Sequence, residues 1–287
     1  MSKKISEIDV IELIKSKGGK DFLIDVSLDE NNKILSSRIL IRNGIILLLC
    51  RADAGKLKVD GKEYILSKNN IVILPENHII ENLNSISLHE QWVIAVSIDY
   101  ILNMPSPIDT NIFSYSRYSS VIKIDDVKFV DLLTYYKFLY KENSEESKYQ
   151  DEIISSIFYA LILEIIGEYE KVMTSDVDTI KSDNLSDKFF KLLATNYRKN
   201  RSVNFYATQL NLTPKYLSTA IKKVTGRPIL EWIHEAILID AKMLLRTTNL
   251  TIQEISDELN FSSSSAFVQF IKKHTNQTPN KLRIGTE

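Results

Sequence analysis

The sequence holds one cysteine, Cys50, among 287 residues, which excludes an internal disulfide framework. Its longest apolar runs, "GIILLLC" and "IFYALILEIIG", fall well short of the roughly 20 residues needed to span a bilayer. The opening "MSKKISEIDVIELIKSKGGK" has no continuous apolar h-region and no small-residue cleavage site, so no secretory signal is expected. These absences point to a reducing cytoplasm and no membrane partner. Histidine is scarce as well, and neither a His-x-His pair nor a carboxylate cluster at ligand spacing occurs: His78 and His89 stand apart, and His234 and His274 fall much later in the chain. No metal, cofactor or catalytic constellation is expected. Cys50, inside an apolar strand, is expected to be a buried inert thiol rather than a nucleophile.

An excess of either charge is also missing, with 36 Lys+Arg against 37 Asp+Glu. The distribution is uneven, however. From Asn184 to Glu287 there are 15 basic and 8 acidic residues, a net of +7, and the first 183 residues carry 21 and 29, a net of -8. A basic end of this kind fits nucleic-acid binding, although a solvated basic face would look the same from charge alone. The length exceeds the usual single domain, and 44% hydrophobic content can bury real cores, so two domains are expected.

The first part is strand-rich. Asn43-Gly44 and Asp60-Gly61, each flanked by apolar runs, predict hairpins, and the strand spacing predicts a barrel or jelly roll. In "SLHEQWVIAVSI" the alternation puts Leu88, Trp92, Ile94, Val96 and Ile98 on one face and His89, Gln91 and Ser97 on the other. Trp92 is thereby expected on the interior face, as core or as a ligand contact. After residue 125 the period becomes helical. One helix is expected to bury Val127, Val130, Leu133, Tyr136, Phe138 and Leu139, and a second Ile154, Ile157, Phe158, Leu161, Ile165 and Ile166. The second is apolar around much of its circumference, which suits either a dimer interface or packing on the barrel. The polar "TSDVDTIKSDNLSD" reads as a linker.

A short segment is then written twice. "ATQLNLT" from Ala207 matches "SDELNFS" from Ser256, and each is followed by a second helix ending in a lysine pair, Lys222-Lys223 or Lys272-Lys273. Thr213-Pro214 reads as a cap followed by an N1 proline, and Ser262 to Ser265 supply the polar start of the second copy. This is the pattern of a helix-turn-helix, with Ala207 and Ser256 small where two helices cross. Leu217, Ile221 and Val224, or Phe267, Phe270 and Ile271, are expected to face the core. Lys215, Ser218, Thr219 and Lys222, or Ser264, Ser265, Val268, Gln269 and Lys272, are expected to point outward. The intervening "ILEWIHEAILIDAKMLLRTT" predicts a helix from Ile229 to about Arg246, about 27 Å long at 1.5 Å per residue. Successive major grooves on one DNA face lie about 34 Å apart, so such a helix would let each copy enter one groove.

"YATQLNLTPKYLSTAIKKVTGRPILEWI", "AKMLLRTTNLTIQEISDELNF" and "FIKKHTNQTPNKLR" resemble the DNA-binding domain of AraC/XylS-type transcription regulators, over about residues 186 to 284. "GKLKVDGKEYILSKNNIVILP" resembles, in outline only, the cupin-like sensory and dimerisation domain of that family. The resemblance implies an α+β protein: a cupin-like barrel or jelly roll with two packed helices over 1–173, a linker at 174–185, and two helix-turn-helix units joined by a linker helix over 186–287. It implies a bacterial regulator, often an activator, that binds double-stranded promoter DNA and contacts RNA polymerase. A homodimer and a small-molecule effector are expected with it.

Carried over by position, base reading falls to Lys215, Ser218 and Thr219 in the first copy and to Ser264, Ser265 and Gln269 in the second. Lys222, Lys223, Lys272 and Lys273 are assigned to phosphates, where charge positions without specifying. Uncharged Gln269 and Ile237 depart from a family pattern that often has arginine nearby, and Asn276 replaces a glycine that ends the second recognition helix; Asn tolerates the left-handed cap. Two other readings stay open: a cupin-type enzyme with a helical oligomerisation tail, and a regulator whose barrel only dimerises.

Overall fold

The computed structural model describes residues 5–17, 19, 22–25, 38–82, 91–104, 116, 119–145, 147–175 and 185–284. The chain divides into two compact units, one of residues 1–101 and 119–179, the other of 102–118 and 180–287. Leu88, His89 and most of the expected linker lie outside the described residues.

In the first unit the elements run β1 (Ile5–Asp9), α1 (Val10–Ser16), β2 (Phe22–Asp25), β3 (Arg38–Arg42), β4 (Gly44–Cys50), β5 (Gly55–Val59), β6 (Lys62–Leu66), β7 (Asn70–Leu74), β8 (Ile79–Asn82), β9 (Gln91–Ser97), α2 (Ile98–Leu102), β10 (Val121–Lys123), α3 (Asp126–Ser144) and α4 (Gln150–Ser175). The strands form two five-stranded sheets, ordered β1-β3-β8-β5-β6 and β10-β7-β4-β9-β2. All described pairings are antiparallel except β1 with β3. Of the expected barrel or jelly roll, the closed barrel is corrected: among the described residues both sheets are open, with β1 and β6 as edges of one and β10 and β2 as edges of the other.

The two expected hairpins separate. Asp60-Gly61 closes β5 onto β6 with Val59 opposite Lys62, and both turn residues take positive φ, 46° and 86°, as two-residue turns of the right twist require. Asn43-Gly44 instead carries the chain from one sheet to the other, since β3 pairs with β1 and β8 and β4 with β7 and β9. Asn43 turns at φ 58° and its Nδ2 donates to Asp9 Oδ2 at 2.6 Å. A Cβ on Gly44 would lie 2.5 Å from Val10 Cγ1 and 2.6 Å from the Val96 carbonyl oxygen, so only glycine lets α1 and β9 come this close.

β4 and β9 are buried at every position because each face meets a different apolar layer. Ile46, Leu48, Val93 and Ala95 join Leu57, Val59 and Ile80 of the other sheet in one core. On the opposite face Phe22 meets Phe158 of α4 edge-on at 5.0 Å, and Trp92 stacks on Tyr136 of α3 at 4.5 Å. Trp92 thus faces the helices, not the space between the sheets where the alternation was expected to put it. Gln91 and Ser97 are buried as well, because both faces of β9 are covered.

The expected helical pair is corrected in phase at one member. α4 buries Ile154, Phe158, Leu161, Ile165 and Ile166 as expected, with Ile157 half-buried. α3 buries Phe129, Leu132, Tyr136 and Leu139, while Val127, Val130 and Phe138 are exposed at 75%, 60% and 53%. Apolar residues occupy both sides of this helix, and only the layer it meets selects one.

Candidate nucleic-acid interface

The second unit is helical: α5 (Leu185–Asn196), α6 (Val203–Gln209), α7 (Pro214–Thr225), α8 (Ile229–Thr247), α9 (Ile252–Glu258), α10 (Ser264–Thr275) and α11 (Pro279–Ile284). It holds two apolar cores strung on α8. Ile229, Trp232, Ile233, Ala236 and Ile237 pack with Phe189, Tyr206, Leu217 and Ile221. Further along the same helix, Ala241 and Leu245 pack with Ile255, Leu259, Phe267 and Ile271. Phe261 and Phe270 touch both cores, so α8 is a shared wall and not simply a spacer.

The duplicated sequence folds the same way twice, down to single hydrogen bonds. After α6 the Leu212 N–H donates to the Ala207 carbonyl at 2.8 Å, and after α9 the Phe261 N–H donates to the Ser256 carbonyl at 2.8 Å. Ala207 and Ser256 are buried, which leaves room for the crossing. The turns reverse at Asn211 and Asn260, with φ of 55° and 56°, a conformation asparagine tolerates better than other side chains. Thr213 then caps α7 by accepting the Tyr216 N–H at 3.2 Å, and Pro214 follows at N1. Ser263 caps α10 by accepting the Ala266 N–H at 3.2 Å. Both recognition helices end in a left-handed cap, Gly226 at φ 78° and Asn276 at φ 57°, so asparagine does replace glycine there.

Two features of the ends differ from expectation. Val224 is 38% exposed, and Thr225 takes the buried place. The Thr225 hydroxyl donates to the Ile221 carbonyl at 2.8 Å and accepts from Trp232 Nε1 at 3.2 Å, which rotates the last turn inward at 225. Thr275 repeats the first of these bonds, to Ile271, at 2.8 Å. Phe270 is half-buried, against His234 and His274.

Every residue expected to touch DNA lies on α7 or α10. Lys215 and Thr219 are exposed on α7 and Ser218 half-exposed; Ser265 and Gln269 are exposed on α10 and Ser264 half-exposed. Thr219 Oγ1 donates to the Lys215 carbonyl at 2.9 Å, which leaves its oxygen free to accept from a base amine. Lys222, Lys223, Lys272 and Lys273 are exposed in the last turns of the two helices. Sequence reasoning passed over Tyr216, 59% exposed between Lys215 and the buried Leu217. It also missed Arg198 and Arg201, whose signal lies only in three-dimensional contacts.

In the first unit, Arg51 and Lys137 approach the Trp92 ring at 4.9 and 6.0 Å. Burial pushes the Cys50 thiol up to about 12, so it stays protonated. Among the described residues no group of three or more His, Cys, Asp or Glu is arranged to hold a metal ion, and no helix is long and apolar enough to cross a membrane.

Residues 206–284 match the family described as "Helix-turn-helix domain", and two such units on a shared helix are what the fold shows there. The chain is similar to the Msm operon regulatory protein of Streptococcus mutans, 24% identical over 85% of each chain. It is also similar to the arabinose operon regulatory protein of Escherichia coli, 23% identical over 96% of this chain and 88% of the relative. Among solved structures, ToxT from Vibrio cholerae aligns over 92% of this chain and 98% of its own, with 16% identity and a TM-score of 0.34.

Proposed function

We propose that the protein is a sequence-specific, non-enzymatic transcription regulator of the AraC/XylS type that binds promoter DNA through both helix-turn-helix units. The observation that carries this reading is the pair of matched turns and caps on one shared helix, each presenting a helix that ends in exposed lysines. In this reading residues 186–287 bind DNA, 174–185 link, and 1–173 sense or dimerise. Lys215, Ser218 and Thr219 read bases in one major groove, and Ser264, Ser265 and Gln269 in the next. Lys222, Lys223, Lys272 and Lys273 hold phosphates. The similarity to operon regulators along most of the chain supports the same assignment. Work in a bacterial cytoplasm, activation through RNA polymerase and control by a small-molecule effector belong to it.

Selection of bound duplexes from a random pool by the full-length protein, near physiological salt, tests the proposal. The expected product is a motif of two elements about 10 to 10.5 base pairs apart. A single element would remove base reading from the second copy, and no enriched sequence would refute the DNA reading.

A second form of the same reading makes the first unit a dimerisation module without a ligand. The stacking of Tyr136 on Trp92 favours it, because one face of that ring is already covered. So do the exposed Val127, Val130 and Phe138 on α3, which suit a second copy of the chain. Thermal-shift screening over metabolites separates the two forms, since an effector at 100 times its Kd adds about 2.7 kcal/mol.

A further inference from the structure

The connection between α5 and α6 reaches far beyond the two helices it joins. Arg198 grips Asp240 of α8 with two bonds, Nε to Oδ2 at 2.6 Å and Nη2 to Oδ1 at 3.0 Å. Tyr197 donates its hydroxyl to the same Oδ2 at 3.0 Å. Asp240 is 1% exposed and lies between the residues of α8 that serve the two cores. Arg198 Nη1 continues to Glu258 Oε1 of α9 at 3.4 Å. The Arg201 guanidinium lies 3.5 Å from the centre of the Phe261 ring and donates to the Leu259 carbonyl. In return, Asn260 Nδ2 donates to the Lys199 carbonyl at 3.1 Å.

The turn of the second copy, Leu259 to Phe261, is therefore held by the connection between α5 and α6. Asn211, its counterpart, makes no such bond among the described residues. This asymmetry has a mechanical consequence. A single connecting helix sets the separation of two units along its axis, but helices bend and twist over several turns. Contacts displaced from the axis resist that rotation, and a two-bonded guanidinium–carboxylate pair adds orientation to attraction.

The geometry points to Arg198 and Arg201 as positioning residues that clasp the two helix-turn-helix units at one mutual angle, and so restrict DNA binding to one spacing of its two elements. The clasp itself follows from the contacts; its consequence for spacing rests on the DNA reading above.

The two levels are tested separately in the full-length chain. Spin labels on Lys223→Cys and Lys273→Cys report the relative placement of α7 and α10, and Cys50, fully buried, is not labelled. The expected result is one narrow distance distribution, broadened or displaced when Arg201→Met and Asn260→Gly are added. Methionine keeps bulk against Phe261, and glycine accepts the positive φ of residue 260. Far-UV circular dichroism and a cooperative melt confirm folding, and Asn260→Gly alone serves if the pair does not fold. An unchanged narrow distribution overturns the clasp.

Duplex selection then reads the consequence. The wild type is expected to recover one spacing. The variants are expected to accept a base pair more or less, their preference for the native spacing falling about fivefold, on the scale by which network mutations alter coupling. The same single spacing from variants whose distances have broadened overturns the restriction. A wild type that selects no sequence overturns the DNA reading, and the distance measurement still decides the clasp.

Discussion

Asn211 and Asn260 adopt the same left-handed conformation in the two copies of the turn, yet among the described residues only Asn260 reaches across, to the Lys199 carbonyl at 3.1 Å. The first role is written in the backbone and predicts a simple hierarchy. Asn211→Gly should leave stability within a few tenths of a kcal/mol, and Asn211→Ala should lower it by about 1 kcal/mol, the cost of a Cβ at positive φ. Urea denaturation of the C-terminal unit measures both. Equal effects would show that the backbone at 211 relaxes.

The outward residues of α7 and α10 should divide into two kinds of loss. Gln269→Ala or Lys215→Ala is expected to cost about 1 to 3 kcal/mol at the preferred site and to relax the sequence recovered at one position. Lys222→Ala or Lys272→Ala should weaken all duplexes alike and reduce the salt slope by about 1. Titrations of specific and scrambled duplexes at several salt concentrations distinguish them.

Arg198 and Asp240 should be unequal partners. Removing Arg198 takes two charge-assisted hydrogen bonds from a carboxylate that is almost wholly buried, and its loss is expected to cost about 3 kcal/mol. Asp240→Asn leaves Arg198, whose side chain is 39% exposed and can turn to water, and should cost less. Comparison of the two denaturation midpoints decides the order.

Ser256 offers the opposite sign. Its hydroxyl is buried at the crossing of α9 with α10 and has no hydrogen-bond partner among the described residues. Ser256→Ala, which makes the second copy like Ala207 of the first, is expected to raise stability by about 1 kcal/mol. A destabilised variant would show that the hydroxyl is satisfied by water.

His234 and His274 predict a pH dependence. Burial, then His274, Lys273 and Arg201, hold His234 below the usual histidine range, with Glu231 opposing; burial and then Lys273 do the same to His274. As pH falls, the unfolded chain therefore takes up protons at these two positions before the fold does. This pair therefore takes nothing from stability well above about pH 6.5, and stability falls as pH drops below it. With Trp92→Phe making Trp232 the sole reporter, the urea midpoint should be lower at about pH 5.5 than at about pH 7.5. The difference should shrink in His234→Gln/His274→Gln, and an unchanged difference would place the titrating groups elsewhere.

The helix-turn-helix copies were legible because the signals that mark them are local. Caps at Thr213 and Ser263, the N1 proline, asparagine at the turns and small residues at 207 and 256 act within a few positions of themselves. The first unit was legible as strands followed by helices, but not in its layering. Asn43-Gly44 has the signature of a hairpin, and the chain instead leaves one sheet for the other there. Val130 and Leu132 are both apolar on one helix, and nothing within α3 says which will be buried.

The residue pattern by itself determined the two recognition helices, their outward faces and the basic character of this end of the chain, because helical periodicity and capping are set by neighbours in sequence. Tertiary structure alone decided which face of β9 carries Trp92 toward Tyr136, which side of α3 is buried, and that Arg198 and Arg201, between α5 and α6, reach α8, α9 and the second copy of the turn. Those outcomes depend on which apolar layer or which charge a side chain meets, and the partners lie more than 40 residues away along the chain. Spacing along one element carries no record of them.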